Sequence, residues 1–313
     1  MDAIKIDPRV KYSRIKREAG TALLAGTGIL GLIFLFSRAS VLTPAPIMVT
    51  SSTPNAFASV SIHAKAAIVY DLAEHKTLYA KNTNAQLPLA SITKLLTVYT
   101  AIHKLGVNAP ITITRADIAK EGDSDFDPGE VFRLGDLARL TLTASINDGA
   151  AAIAAISSAR MNESIPRMLA TSAAALGLTQ TYALNGSGLD SSATVSGGYG
   201  SPYNVALLAG ALLREAPRVA EATTKLSATA TSSIGIVHTR KNTNPYVTTM
   251  PRILLSKTGY TNLAGGNLVV VFDAAFNHPI AVVVLGSTEK DRFTDVKTLI
   301  SATLAHFAHL SSL

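Results

Sequence analysis

The 313-residue chain contains no cysteine, which excludes disulfides and thiolate chemistry of any kind. A domain of this size can rest on its hydrophobic core instead. Charge is sparse at 16%, and the formal net charge of +7 is unevenly spread. Residues 1–18 hold six Lys/Arg against Asp2, Asp7 and Glu18, a net of +3, so only +4 is left for the remainder. That is no nucleic-acid footprint, and at most a mild attraction to an anionic envelope polymer. The seven histidines, at 63, 75, 103, 238, 278, 306 and 309, form no H-E-x-x-H. His306 and His309 could share a helix face, but a surface or core role fits them better than zinc ligation. The acidic stretch Asp123 to Glu130 has Pro128 and Leu134 where a calcium loop starting at Asp123 needs glycine and glutamate, so it reads as a surface turn. No internal repeat is visible.

What the chain has in abundance is hydrophobic residues, 48% of the total. Part of that sits in residues 19–37, a stretch of 19 without a charge that ends in Ile29-Leu30-Gly31-Leu32-Ile33-Phe34-Leu35-Phe36. At about 1.5 Å per residue it is just long enough to span a hydrocarbon core of about 30 Å. Lys5, Arg9, Lys11, Arg14, Lys16 and Arg17 precede it, and only Arg38 follows closely. The expectation is a single-pass anchor in the cell membrane, with residues 1–18 a cytoplasmic basic tail and the rest of the chain extracytoplasmic. A cleaved signal peptide competes, but Ala56-Phe57-Ala58 lies far beyond the apolar run for a cleavage site. Residues 38–60, rich in Ser, Thr, Ala and Pro, read as a semi-flexible linker, and residues 61–313 as the globular domain.

Within that domain, 66–70 and 77–80 read as a strand hairpin turning at 71–76. Helices are expected at 89–105, 134–143, 144–159, 166–176 and 202–214, with a Gly/Ser-rich loop over 185–201. After a polar stretch, strands are expected at 253–256, 267–272 and 280–285, then a closing helix at 291–310. Strands at both ends and helices between predict an α/β (α+β) fold: one antiparallel sheet drawn from both chain ends, flanked by helices, with an inserted helical subdomain.

Three short motifs carry the chemistry. Ser91-Ile92-Thr93-Lys94 puts a hydroxyl and an amine three residues apart, neighbours on one helix face. Serine needs a base before it is a useful nucleophile, and a lysine with a lowered pKa can be that base. Bringing its pKa from about 10.4 to about 7 requires roughly 4–5 kcal/mol, from burial, the positive end of its helix or a second ammonium. Ser145-Ile146-Asn147 adds a hydroxyl and an amide at a junction between helices. Lys257-Thr258-Gly259 follows an apolar strand, its glycine letting a substrate lie against the strand edge. Each motif is common alone; the order S-x-x-K, S-x-N, K-T-G, separated by 54 and 112 residues, is far more specific.

In that ordered trio the chain resembles the active-site-serine D-Ala-D-Ala carboxypeptidases, the low-molecular-mass penicillin-binding proteins related to the serine β-lactamases. The likeness extends to Asp127-Pro128-Gly129-Glu130, to Asn185-Gly186-Ser187-Gly188-Leu189-Asp190, and to Tyr260-Thr261 and Ala264-Gly265 after the third motif. The resemblance implies a β-lactamase/transpeptidase-like fold and cleavage of the terminal D-alanine from peptidoglycan pentapeptide stems. Ser91 would form the acyl-enzyme, with Lys94 as its base. Ser145 would pass a proton to the leaving amine, supported by Lys257, while Asn147 holds the substrate backbone and Lys94. Backbone N–H groups of Ser91 and Tyr260 would hold the oxyanion; Thr258 and Arg292 would receive the terminal carboxylate, with Gly259 lining the cleft. The resemblance further implies covalent inhibition by β-lactam antibiotics, no cofactor and no metal.

Departures sharpen the expectation. Ile146 stands where the family often has glycine, and could narrow the cleft or shift Ser145. Many relatives carry a C-terminal β-domain and an amphipathic anchoring helix; the N-terminal span is expected to replace that anchor. A class A β-lactamase would have a glutamate four residues before Asn185; that place holds Thr181. The alternative of another class is a membrane-tethered β-lactam sensor or peptidoglycan-binding protein that is acylated without turnover.

Overall fold

The computed structural model describes residues 55–118 and 126–310; the tail, the expected anchor, residues 38–54 of the linker and Asp123 to Asp125 of the acidic turn lie outside them. Five strands form the main sheet: β1 (Ala66–Asp71), β2 (Lys76–Lys81), β3 (Ile253–Thr261), β4 (Gly265–Asp273) and β5 (Pro279–Ser287). Every neighbouring pair is antiparallel, in the order β3-β4-β5-β1-β2. The first strand therefore sits between the last strand and its own hairpin partner, with Ala66 opposite Leu285 and Asp71 opposite Ile280. This is the sheet expected from both ends of the chain.

β-Branched runs such as Leu268-Val269-Val270-Val271-Phe272 make these strands, and the period of two sends alternate residues to opposite faces. Ile68, Tyr70, Val269, Val271, Val283 and Leu285 face one core, shared with the inserted helices. Ala67, Val69, Leu268, Val270, Val282 and Val284 face a second, covered by the closing helix through Val296, Leu299 and Ile300. Both faces are buried, so β1, β4 and β5 read as unbroken apolar runs rather than alternating ones. Phe57, inside the stretch read as linker, is buried against Tyr79 and His306.

Seven helices complete the frame used below: α1 (Thr93–Leu105), α2 (Leu134–Ala144), α3 (Asn147–Met161), α4 (Ile165–Ala175), α5 (Pro202–Glu215), α6 (Pro217–Ala222) and α7 (Asp291–Leu310). Gly106, at φ 76°, ends α1, and the Ser201 hydroxyl caps α5 by accepting the Asn204 N–H. No element is assigned from the sequence to the polar stretch before β3. Within it, Ser227–Thr231 and Val237–Lys241 pair as a hairpin. Its strands are mostly exposed and lack the apolar alternation that marks a half-buried strand. Among the described residues no helix is long and apolar enough to cross a membrane.

Candidate active site

The nucleophile turn departs from the single helix expected over 89–105. Ala90–Ile92 form a 3-10 turn and the α-helix proper begins at Thr93. Ala90 takes the left-handed conformation, φ 49°, which turns Ser91 out of the helix axis just ahead of Lys94. The 3-10 turn keeps the pair adjacent: Lys94 Nζ lies 2.7 Å from Ser91 Oγ. Lys94 is fully buried while Ser91 is half-buried, so the hydroxyl meets the cleft and the amine does not.

Two further oxygens hold that amine: Nζ donates to Asn147 Oδ1 and to the Ser187 carbonyl, each at 2.8 Å. A neutral amine has two N–H groups and one lone pair. With both N–H groups taken by these acceptors, the lone pair is left for the Ser91 O–H. Burial lowers the Lys94 pKa to about 7. Desolvation is the cause of the shift.

The second motif sits at the α2–α3 junction. Ser145 is left-handed, φ 62°, at the end of α2, and Asn147 opens α3. The expected boundary at Ala144 therefore moves three residues on. Ile146 does not narrow the cleft: it is buried in the main core, between a Ser145 and an Asn147 that both reach the site. Lys257, also buried, donates from Nζ to Ser145 Oγ at 2.8 Å and to the Thr258 carbonyl at 2.9 Å. Burial, and then the positive charges of Lys94 and Arg292, push its pKa well below the ordinary lysine value.

The strand carrying Lys257 runs from 253 to 261 rather than stopping at 256, because the polar Lys-Thr-Gly-Tyr-Thr continues the β4 pairing. It is an edge strand, and its outer side faces the nucleophile turn. A Cβ on Gly259 would lie 2.7 Å from the Leu89 carbonyl oxygen and 3.3 Å from the Ile92 nitrogen. The glycine is required by the protein's own backbone, not only by a bound substrate. Asn267 on β4 reinforces this approach, donating to the Pro88 carbonyl at 3.0 Å while accepting from the Gly286 N–H at 2.8 Å. Tyr260, next along, is exposed at the mouth. Arg292, from the start of α7, is buried and donates to the Gly259 carbonyl at 2.8 Å, with its guanidinium carbon 4.8 Å from the Phe293 ring centroid. Desolvation lowers its pKa, outweighing the opposing carboxylate of Glu289.

All nine residues picked out in the sequence thus lie on the elements around one cleft. Others went unnoticed. The Asn185–Asp190 segment, quoted only for its likeness, shapes the back of the site. Asn185 Oδ1 accepts the Gly188 N–H at 2.7 Å and Thr97 donates to the Gly186 carbonyl at 2.8 Å, which together present the Ser187 carbonyl to Lys94. Thr261 donates to Asp190 at 3.1 Å, tying the end of β3 to the same loop. Thr243, in Asn242-Thr243-Asn244 just after the missed hairpin, shares a 2.6 Å hydrogen bond with the Thr258 hydroxyl. Its own N–H is held by the Thr143 carbonyl, and Asn244 anchors the segment to Ser256. The Asp127–Glu130 turn is not wholly a surface feature. Glu130 is buried and pairs with His238 of the hairpin at 2.9 Å. Burial opposes its ionisation, yet hydrogen bonds from His238, the Asp127 amide and Ser232 hold its pKa below the usual value.

With this geometry in place, comparison with known proteins decides the family. The family described as D-alanyl-D-alanine carboxypeptidase matches residues 49–289. The chain belongs to this family. It is 28% identical over 279 residues to the D-alanyl-D-alanine carboxypeptidase DacF of Bacillus subtilis, covering 83% of this chain and 69% of that one. It is also 28% identical over 286 residues to a D-alanyl-D-alanine endopeptidase of Pseudomonas aeruginosa, covering 87% and 86%. Among solved structures, a D-alanyl-D-alanine carboxypeptidase of Mycobacterium tuberculosis superposes with a TM-score of 0.67 at 25% identity, covering 81% of this chain and 92% of that one. Penicillin-binding protein D2 of Listeria monocytogenes, in its ampicillin-bound form, gives 0.63 at 22%, covering 78% and 98%, a likeness of fold. This D-alanyl-D-alanine carboxypeptidase is a serine hydrolase with an α+β, transpeptidase-like fold.

Proposed function

We propose that this carboxypeptidase removes the terminal D-alanine of peptidoglycan stem peptides through an acyl-enzyme on Ser91. The observation that carries the assignment is the Lys94 amine, buried, with both neutral-state N–H groups engaged and its remaining position 2.7 Å from Ser91 Oγ. Lys94 takes the hydroxyl proton as Oγ bonds to the carbonyl carbon between the two D-alanines. Negative charge gathers on the carbonyl oxygen, against the backbone N–H groups of Ser91 and Tyr260. When the C–N bond breaks, the proton held by Lys94 passes through the Ser145 hydroxyl, which Lys257 orients, to the leaving amine; free D-alanine departs and Lys94 is neutral again. Water then adds to the ester, giving its proton to Lys94, and expulsion of Ser91 Oγ regenerates the hydroxyl and a shortened peptide acid. Thr258 and Arg292 receive the carboxylate that marks the end of the substrate.

A β-lactam presents a strained amide to the same hydroxyl, and its ring opening leaves a Ser91 ester. The ampicillin- and cefotaxime-bound forms of the Listeria protein support this reading. Residues 19–37 would tether the domain to the cell membrane, with residues 1–18 cytoplasmic and β1 onward outside; their composition supports it.

The deciding experiment is D-alanine release from a peptide ending in D-Ala-D-Ala by residues 55–313. Ser91→Ala is expected to remove both release and labelling by a fluorescent penicillin. Labelling of the native enzyme without release would favour a sensor or binding protein, and activity surviving Ser91→Ala would end the assignment. A second expectation concerns Thr243. If its hydroxyl donates to Thr258, the Thr258 proton is free for the substrate carboxylate. Thr243→Val should then raise KM for the free acid about five- to tenfold, the loss of one hydrogen bond of about 1 kcal/mol. It should leave KM for the corresponding methyl ester unchanged, and Thr243→Ser should restore the free acid.

A further inference from the structure

A groove of about 370 Å³ lies between residues 246–251 and one face of α7, outside the catalytic cleft. Its apolar lining comes from Met250, Pro251, Phe293, Ile300 and Leu304. Tyr246, half of whose surface is open to solvent (48%), stands at the rim with its ring 5.2 Å from Phe293. Lys290 and Lys297 also line it, both exposed, and no aspartate or glutamate does. Among the described residues neither lysine is in an ion pair. Asp291, beside Lys290, is occupied by the Thr288 hydroxyl at 2.8 Å.

One ring separates this groove from the site. Phe293 lines the groove, while the Arg292 guanidinium, bonded to the Gly259 carbonyl, sits 4.8 Å from the same ring's centroid. From Asp291 to Leu304 the α7 wall extends about 20 Å at about 1.5 Å per residue, room for about six residues of extended chain.

We propose that the groove is a second binding site for an acidic peptide segment of the same peptidoglycan polymer whose terminus is being trimmed. The proposal rests on the reading of Ser91 as the trimming nucleophile. Charge complementarity is the argument. Two unpaired ammonium groups above an apolar floor suit a ligand that carries carboxylates on an otherwise apolar backbone, and a carboxypeptidase substrate with several uncapped stems is such a ligand. Occupancy would raise the local concentration of stem termini at Ser91 without adding a contact to the reacting bond.

The test uses soluble, uncross-linked peptidoglycan fragments carrying several stems, and a diacetylated tripeptide ending in D-Ala-D-Ala. Binding of labelled fragments is measured on Ser91→Ala, so that turnover does not intervene. Adding Lys290→Glu and Lys297→Glu is expected to weaken that binding at least tenfold. In the active enzyme the double substitution should raise KM for the fragments at least tenfold and leave kcat and KM for the tripeptide unchanged. Unchanged fragment binding overturns the proposal, as does an equal loss on both substrates. Loss of binding to phosphatidylglycerol vesicles with fragment binding intact would assign the groove to a lipid surface and overturn it too. Absence of tripeptide turnover in the native enzyme would count against the catalytic reading, and the Ser91→Ala binding result would still judge the groove.

Discussion

Lys94→Met is expected to slow acylation of Ser91 roughly 10²–10⁴-fold, the usual range for losing a positioned general base. Stopped-flow labelling with a fluorescent penicillin measures it. In the native enzyme the same rate should fall about tenfold per pH unit below the Lys94 pKa of about 7, because only the neutral amine accepts the proton. The burial that lowers that pKa also has a signature in stability. The ordinary value of 10.5 applies to the unfolded chain. Below about pH 7 both states carry the ammonium and the folded state bears the whole desolvation penalty. Between about 7 and 10.5 the unfolded chain holds a proton that the folded one does not, so stability rises with pH. From pH 7 to pH 9 the native protein should gain roughly 2–3 kcal/mol relative to Lys94→Met, at about 1.36 kcal/mol per unit. Urea unfolding of both proteins at pH 6, 7.5 and 9 gives the difference. Parallel curves would mean that the amine titrates as if it were in water.

Gly188→Ala should be nearly as damaging, though residue 188 takes no part in the chemistry. The position has φ +78°, and a Cβ there would lie 2.0 Å from the Ala90 carbonyl oxygen and 2.7 Å from Thr93 Oγ1. Neither wall can retreat without cost: Ala90 orients Ser91, and Ser187, next in the chain, supplies the carbonyl that holds Lys94. Backbone strain and overpacking together should cost about 2–4 kcal/mol. Displacing either group by an ångström should lower kcat/KM about 10²-fold. Gly177→Ala is the control. Its φ is +69°, but nothing lies within 4 Å of the added Cβ. About 1 kcal/mol of stability should be lost with activity unchanged. Thermal unfolding and D-alanine release on the two variants separate strain from displacement; equal activity losses would refute the packing account.

The sheet strands were legible in the sequence because a strand buried on both faces is a run of Val, Ile, Leu and Ala, whatever surrounds it. The trio Ser91/Lys94, Ser145/Asn147 and Lys257/Thr258/Gly259 was legible because order and spacing restrict it. Tyr260 and Arg292 came only from the family likeness. Ser187 was invisible as a functional residue because its contribution is a backbone carbonyl, which every residue has. Thr243 was hidden because it lies in a polar segment and gains its place only through a tertiary contact with Thr258. The helix boundary at Ser145 slipped because a left-handed serine ends α2 where composition alone reads continuous helix. The burial of Ile146, which removed the expected crowding of the cleft, is likewise a tertiary fact.

The strand order carries a consequence in time. β1 is the first strand of the described residues to be made, yet one of its two partners, β5, follows more than 200 residues later. Synthesis at about 5–20 residues per second separates the two by some 10–40 seconds. Throughout that interval β1 has only the hairpin partner β2. The nucleophile turn belongs to the early part of the chain and Lys257 to the late part, and the close approach at Gly259 can join them only once β3 has been made. Nascent or truncated chains ending before β3 should therefore be inert toward penicillin, and reactivity should appear in a single late step as the sheet closes. Contacts of such long sequence separation also imply slow refolding, on the scale of seconds rather than milliseconds.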